Sequence, residues 1–202
     1  MFLCGNRKAL IPLRWEARVT ASAWWIGVES MTAAALTAAA AHPRPIFCGR
    51  LSLERSVQAV LADAGKRVEA HEVALHTAIG QGYLLDLMRQ RMPIEHITLA
   101  LPAISTGQGV PSESSITPLD TVMTEAREVI ESLIVVTRGA EAVMAPGVGV
   151  GMAVLCPAAT GSMTPLARGL LAFVSEFVAA ESARWQARGL SLALVSERSM
   201  DQ

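Results

Sequence analysis

The chain has 202 residues, a length that suits one domain with a substantial core. Its net charge of −1 and its single Tyr give neither the basic surface nor the aromatic platform with which proteins bind nucleic acid, so we predict no nucleic-acid partner. Although 51% of the residues are hydrophobic, no uncharged apolar run reaches the roughly 18–20 residues of a membrane-spanning helix, and we predict no membrane partner.

Residues 1–42 differ from the rest, and we predict that they form an N-terminal extension, flexible or helical. This segment contains the pair Trp24–Trp25 and an Ala-rich stretch that begins at Met31. It has no clean apolar region followed by a small-residue cleavage site, so a secretory signal is not predicted. Met1 and Met31 both remain open as the start of translation.

The cysteines are few and scattered, at positions 4, 48 and 156. Their number and spacing favour a reducing cytoplasm over a disulfide framework, and we expect a cytoplasmic protein. Neither the cysteines nor the four histidines have the spacing of a zinc site, so we predict no metal.

Residues 43–202 alternate between strand-like and helix-like patterns, which predicts one α/β domain. The predicted strands are 45–49, 66–75, 94–103, 147–158 and 190–197, and the predicted helices are 53–65, 82–91, 117–144 and 162–188. The segment 104–116 is predicted to be a loop because of its Gly, Ser and Pro content. This order indicates a Rossmann-like, doubly wound parallel sheet, shortened to five or six strands.

Four stretches carry a resemblance to a known family. They are "IEHITLALPA" (94–103), "VTRGA" (136–140) within a long helix, "GMAVLCPAATGS" (151–162), and "LLAFVSEFVAAESARWQARGLSLALVSE" (170–197). In this order they resemble the short-chain dehydrogenase/reductase family over residues 44–197. The resemblance implies a Rossmann-type fold that binds NAD(P), a catalytic Ser, Tyr and Lys, and assembly through the fourth and fifth helices.

The cofactor loop of that family, TGxxxGxG after the first strand, has no good counterpart. With 45–49 as the first strand, the loop falls on "CGRLSLERS" (48–56), where only Gly49 remains. Leu51, Leu53 and Glu54 add side chains and a negative charge where the pyrophosphate would lie at the helix N-terminus. We therefore predict no cofactor.

The catalytic positions also depart from the family. The NNAG run has become "ALPA", the helix-four Asn falls on Val129, and the catalytic Ser falls near Ala158. The Tyr and Lys positions fall on Thr164 and Arg168, or on Met163 and Ala167 if the alignment shifts by one. None of these side chains can donate and recover a proton as an activated phenol does. We therefore predict no catalytic, cofactor-binding or metal-binding residue.

The two long helices, 117–144 and 162–188, keep strong apolar faces. The first has apolar residues at 122, 129, 133, 136 and 143, and the second has them at 166, 170, 173, 177 and 180. We predict a catalytically inactive subunit that associates through these helices with an active short-chain dehydrogenase/reductase chain. Two alternatives stay open: a homodimeric binding protein, and a non-redox enzyme that uses Asp120, Ser162, Thr164 or Arg168 without NAD(P).

Overall fold

Strands and helices alternate throughout the described residues of the computed structural model, which are 21–52, 54–102, 119–147, 149–156 and 165–196. The strands are β1 Ser22–Ile26, β2 Pro45–Gly49, β3 Glu69–Glu72, β4 Ile94–Ala100, β5 Gly151–Cys156 and β6 Ser191–Ser196. The helices are α1 Ala33–Ala40, α2 Arg55–Ala64, α3 Ala78–Gln90, α4 Leu119–Val143 and α5 Pro165–Ala187. Among these helices none is both long and apolar enough to cross a bilayer.

The strands form one parallel sheet in the order β3-β2-β1-β4-β5-β6. From β1 in the middle of the sheet the chain proceeds outwards to β3, and it then returns through α3 to place β4 beside β1. Right-handed crossovers then put α1 and α2 on one face and the three later helices on the other. The two hydrophobic clusters confirm this, because each holds one face of the sheet with its own helices. The predicted Rossmann-like α/β fold is confirmed.

The structure corrects the predicted boundary at residues 42/43. Residues 22–42, assigned from the sequence to an extension, form β1 and α1, and β1 lies in the middle of the sheet between β2 and β4. The strand at 45–49 is therefore the second strand. The chain's domain includes residues that precede Met31, while residues 1–20 lie outside the described part.

All five residues of β1 are buried, and the strand supplies both cores. Trp24 and Ile26 pack on the face of the three later helices, and Ala23 and Trp25 pack on the face of α1 and α2. The indole Nε1 of Trp24 donates a hydrogen bond of 2.9 Å to Ser22 Oγ, which satisfies its polar atom inside the core. Burial on both sides is typical of a central strand in a parallel sheet.

The other predicted elements are confirmed with small shifts at their ends. α3 begins at Ala78, four residues before the predicted start, because the Thr77 side chain accepts a hydrogen bond from the Gly80 N–H at 3.0 Å and caps the helix. The predicted loop at 104–116 lies outside the described residues. Cys48 in β2 and Cys156 in β5 are buried free thiols. Burial raises the pKa of the Cys156 thiol to about 11, and it raises the pKa of the Cys48 thiol still further.

Candidate functional site

The topology fixes where a ligand site belongs in this fold. The direction of chain travel reverses between the neighbouring strands β1 and β4. In open parallel sheets the loops after two such strands diverge to opposite faces, and ligands bind in the crevice at their carboxyl ends. The residues that follow Ile26 and Ala100 therefore form the first candidate site.

The turn after β1, not the one after β2, holds the position of a dinucleotide loop. The prediction that placed this loop at 48–56 is therefore wrong. Applied to the true first strand, the pattern TGxxxGxG starts at Ile26, and its three glycine positions fall on Gly27, Met31 and Ala33. One of the three glycines remains in either placement. It is Gly49 in the predicted loop at 48–56 and Gly27 in the turn after β1.

Gly27 makes the tight turn that the fold requires. Its φ of 76° lies in the left-handed region, and its N–H donates to the Cys48 carbonyl at 2.8 Å. A Cβ at this position would lie 2.3 Å from the Ala100 carbonyl oxygen. The turn after β1 and the end of β4 thus approach each other closely at the crevice.

The two substituted glycine positions have different surroundings. The Met31 side chain is buried in the core beneath α1, whereas Ala33 is exposed in the first turn of that helix. Thr32 is the N-cap of α1, and its side chain accepts from the Ala35 N–H at 3.3 Å. A side chain of the protein itself therefore occupies a donor at the helix N-terminus, where the pyrophosphate of a dinucleotide would bind.

A carboxylate occupies the same turn. Glu29 accepts hydrogen bonds from the Arg50 backbone N–H at 3.2 Å and from Arg50 Nε at 3.3 Å. A Cβ on Gly49 would lie 2.2 Å from Glu29 Oε2, so the carboxylate packs directly on the end of β2. Arg50 follows β2, where Rossmann folds place the residue that contacts the ribose or its 2′-phosphate. Here that guanidinium is held by an internal anion.

Described residues on both sides of the crevice line a pocket there. Its lining residues are Gly27, Glu29, Ser30, Arg50, Leu75, His76, Ala100, Pro102, Glu128 and Ser132. No group of three or more metal-ligating side chains occurs within the described ranges.

Of the four residues proposed from the sequence for a non-redox site, only the side chain of Arg168 lies in the described part, so that site stays a prediction. Arg168 is exposed on α5 and has no ion pair there, while Ala167 is buried. Ala158, Ser162, Met163 and Thr164 lie outside the described residues, as does the side chain of Asp120. Val129, at the helix-four Asn position, is a buried core residue. The polar residues of the crevice were missed because β1 was missed.

A second candidate site is the outer surface of α4 and α5. Each helix connects two neighbouring parallel strands, so the two helices run in the same direction. Two ion pairs join them, Arg138–Glu181 and Glu141–Arg184, and the residues of each pair are 43 apart in the sequence. Helical spacing puts Met123, Ile130 and Ile134 on the side of α4 that bears Glu141, and it puts Leu166, Phe173 and Phe177 on the side of α5 that bears Arg184. We call these six apolar residues, together with the ion-paired residues Arg138, Glu141, Glu181, Arg184 and Arg188, the α4–α5 face.

The apolar part of this face is exposed. Eight large hydrophobic side chains are exposed in the described structure, and four of them belong to the face: Met123, Ile134, Leu166 and Phe173. Phe173 stacks on the half-buried Phe177 with ring centroids 6.1 Å apart. A groove of about 550 Å³ runs along the α4 side, lined by Met123, Thr124, Ala126, Arg127, Ile130 and Glu131.

The apolar stripe that the sequence predicted as the interaction surface of α4 faces the domain's own core. Val129, Leu133, Val136 and Val143 are buried in the core, so they cover the domain's own sheet. The exposed apolar residues of α4 lie on the opposite side of the helix. On α5, by contrast, the predicted stripe includes the exposed Leu166 and Phe173.

Comparison with known proteins places the fold. No protein-family model matches the sequence, and no curated protein matches it either. The fold is that of solved short-chain dehydrogenase/reductase structures, which include BdcA from E. coli (10% identity, 88% of this chain and 81% of that one, TM-score 0.62). A glucose/ribitol dehydrogenase of the family from Brucella melitensis gives 12% identity over 87% of this chain and 74% of that one, with a TM-score of 0.65. RhlG from Pseudomonas aeruginosa, solved with NADP at its active site, is 10% identical over 88% of this chain and 72% of that one, with a TM-score of 0.61.

Proposed function

We propose that this chain is a catalytically silent subunit with a short-chain dehydrogenase/reductase fold. It associates with a catalytically active chain of that type in the cytoplasm, and it stabilises or shapes its partner through the α4–α5 face. The observation that carries the proposal is the exposure of four large apolar side chains on two adjacent helices. Apolar surface that is concentrated in this way marks an interaction site.

The residues at the crevice support the proposal that this chain is catalytically silent. BdcA has been solved with NADPH and RhlG with NADP. In this chain two of the three glycine positions hold Met31 and Ala33, Glu29 adds a negative charge to the turn, and Arg50 is already paired with it. A bound pyrophosphate would have to displace or repel that carboxylate.

Two alternative functions are a homodimeric binding protein and a non-redox enzyme. A homodimeric binding protein would bury the α4–α5 face against a second copy. A non-redox enzyme would need the candidates around Arg168 to act, and an Arg168→Ala variant with unchanged activity would remove its best residue.

Co-expression tests the proposal. The tagged chain is produced with each short-chain dehydrogenase-type chain encoded beside it, and complexes are measured by size exclusion with light scattering. We expect one such chain to co-purify in a fixed ratio. Phe173→Arg should weaken the complex by about 30-fold or more, the effect of a central interface residue.

The matched control is Ile79→Arg, which changes an even more exposed apolar residue on α3, outside the face. It should leave the complex unchanged. A homodimer that excludes every co-expressed chain would favour the homodimeric alternative. Equal loss of complex with both variants would count against the α4–α5 face as the interface.

A further inference from the structure

The edge strand β3 presents two ionisable side chains to α3. Because side chains alternate along a strand, Glu69 and His71 lie on the same face of the sheet. Their register partners in β2, Ile46 and Cys48, belong to the core beneath the three later helices, so this is the face that α3 covers. α3 brings Tyr83, the only Tyr of the chain, against His71, with ring centroids 6.2 Å apart.

Hydrogen bonds link these three side chains in series. Tyr83 Oη lies 3.1 Å from His71 Nδ1, and His71 Nε2 lies 2.8 Å from Glu69 Oε1. Burial acts to raise the pKa of Glu69, but hydrogen bonds from His71 and Arg91 outweigh it and hold that pKa below its usual range. The ionised carboxylate only accepts hydrogen bonds. In the neutral imidazole Nε2 therefore carries the hydrogen, and Nδ1 accepts from the phenol.

This series has the order of a nucleophile, a base and a group that orients the base. The phenol of Tyr83 is accessible to small molecules because this residue is 46% exposed, whereas the side chain of His71 is only 17% exposed. Glu69 is a positioning residue, since it fixes the imidazole and stabilises the imidazolium that forms when the phenol proton is transferred. The cluster can therefore activate the phenol oxygen for attack on an electrophile.

The surroundings of Tyr83 favour an uncharged electrophile with an apolar group. Ile79 lies four residues earlier on the same side of α3 and is 87% exposed, so it offers apolar contact next to the phenol. Asp86, three residues after Tyr83, pairs with Arg89 at 2.7 Å, and Arg91 pairs with the carboxylate of the cluster at 2.8 Å. Both arginines are thus already neutralised by carboxylates, whereas a phosphoryl donor would need a free cation.

We propose that Tyr83 is a covalent acylation site, at which the phenol takes an apolar acyl group from an activated ester. The phenol oxygen attacks the carbonyl carbon, and a new C–O bond forms while His71 takes the phenol proton. The bond from the carbonyl carbon to the leaving oxygen breaks, and the leaving group takes that proton from the imidazolium. One O-acyl-tyrosine and one free alcohol result, and no atom is oxidised or reduced. The inference is independent of the proposed function.

Acylation by p-nitrophenyl esters tests the inference. The full chain is treated with p-nitrophenyl acetate or butyrate and digested with trypsin, and the peptide of residues 68–89 is quantified by mass spectrometry. This peptide contains Tyr83 and has no Lys, Cys or Ser, and fragment spectra place the label within it. We expect Tyr83 to react about 100-fold faster than N-acetyltyrosinamide, an effect within the range of general-base catalysis.

The two esters test the apolar acyl group. Relative to N-acetyltyrosinamide, the butyrate should react about threefold faster than the acetate, because its two further carbons can contact Ile79. Ile79→Ser should remove this preference. Equal relative rates for the two esters would overturn the apolar class of substrate.

Variants test the role of each side chain. Tyr83→Phe should remove the label from the peptide. His71→Ala should lower the rate by about 100-fold, and added imidazole should restore part of it, which loss of the fold would not allow. Glu69→Gln should lower the rate by about tenfold or more, and the ¹⁵N resonances of the His71 ring should change from the Nε2–H tautomer to a mixture of both. His42→Ala, on the other face of the sheet, is the matched control and should leave the rate unchanged.

Three results would overturn the inference. They are a rate at Tyr83 no faster than that of N-acetyltyrosinamide, a rate that His71→Ala leaves unchanged, and label confined to other peptides. An unchanged tautomer in Glu69→Gln would overturn the positioning role of Glu69. None of these results depends on a dehydrogenase partner, so failure of the inference and failure of the proposed function are distinguishable.

Discussion

A chain that begins at Met31 is expected not to fold. It would lack β1, which pairs with both β2 and β4 in the middle of the sheet. It would also lose Trp24 and Ile26, which are fully buried, and removal of one such large side chain costs about 3–5 kcal/mol. A domain of this size is stable by about 5–15 kcal/mol in total. Far-UV circular dichroism and urea unfolding should therefore show no cooperative transition for the shortened chain.

A full-length chain with Trp24→Phe is the control for this truncation. It keeps β1 and an aromatic side chain in the core, so we expect a cooperative transition at a lower urea concentration. If the chain from Met31 instead unfolds cooperatively with native-like stability, β1 is not part of the essential sheet, and the assignment of the crevice to the turn after β1 fails with it.

Gly27→Ala is expected to lower the free energy of unfolding by about 3–5 kcal/mol. Part of the cost comes from the left-handed backbone, with φ at 76°, which disfavours any residue with a Cβ. The larger part comes from the Ala100 carbonyl oxygen, 2.3 Å from the new methyl group, which forces β1 and β4 apart. Urea denaturation measures the change from the transition midpoint, provided that the slope stays constant.

Gly189→Ala separates these two causes. Gly189 also has a left-handed backbone, with φ at 71°, but the nearest atom to an added Cβ is Pro146 Cβ at 3.4 Å, an ordinary contact. We expect this variant to lose only about 1 kcal/mol. Equal losses at the two positions would mean that backbone conformation alone explains the Gly27 effect and that the close approach of the two strands has little energetic weight.

Most of the sheet could be predicted from the sequence because its strands are bounded by clear signals. Gly65 ends α2, and apolar runs alternate with amphipathic stretches from residue 45 onwards. β1 could not be predicted in the same way. Its five residues "SAWWI" are buried on both sides and show no alternation, and a short apolar run of this kind cannot be assigned by periodicity. Its position beside an Ala-rich segment also favoured the interpretation as a lead-in.

This one missed strand explains the errors at the candidate site. With 45–49 as the first strand, the cofactor loop was placed one βα unit too late, so Glu54 at the N-cap of α2 was considered and Glu29 was not. The ion pair of Glu29 with Arg50 joins residues 21 apart and becomes visible only when β1 and β2 are adjacent.

The apolar pattern of α4 indicated an amphipathic helix but not which stripe faces the sheet. Val129 and Leu133 are core residues, and the outer stripe of Met123, Ile130 and Ile134 was not recognised.

The central claim is that the chain contributes an interaction surface and no dinucleotide chemistry. Isothermal titration of the purified chain with NADPH and with NADH tests it most directly, with BdcA, which has been solved with NADPH, as the positive control. We expect no saturable binding of either nucleotide at concentrations up to about 1 mM, which corresponds to a binding free energy weaker than about −4 kcal/mol. Stoichiometric binding with a Kd of about 10 μM or tighter would contradict it.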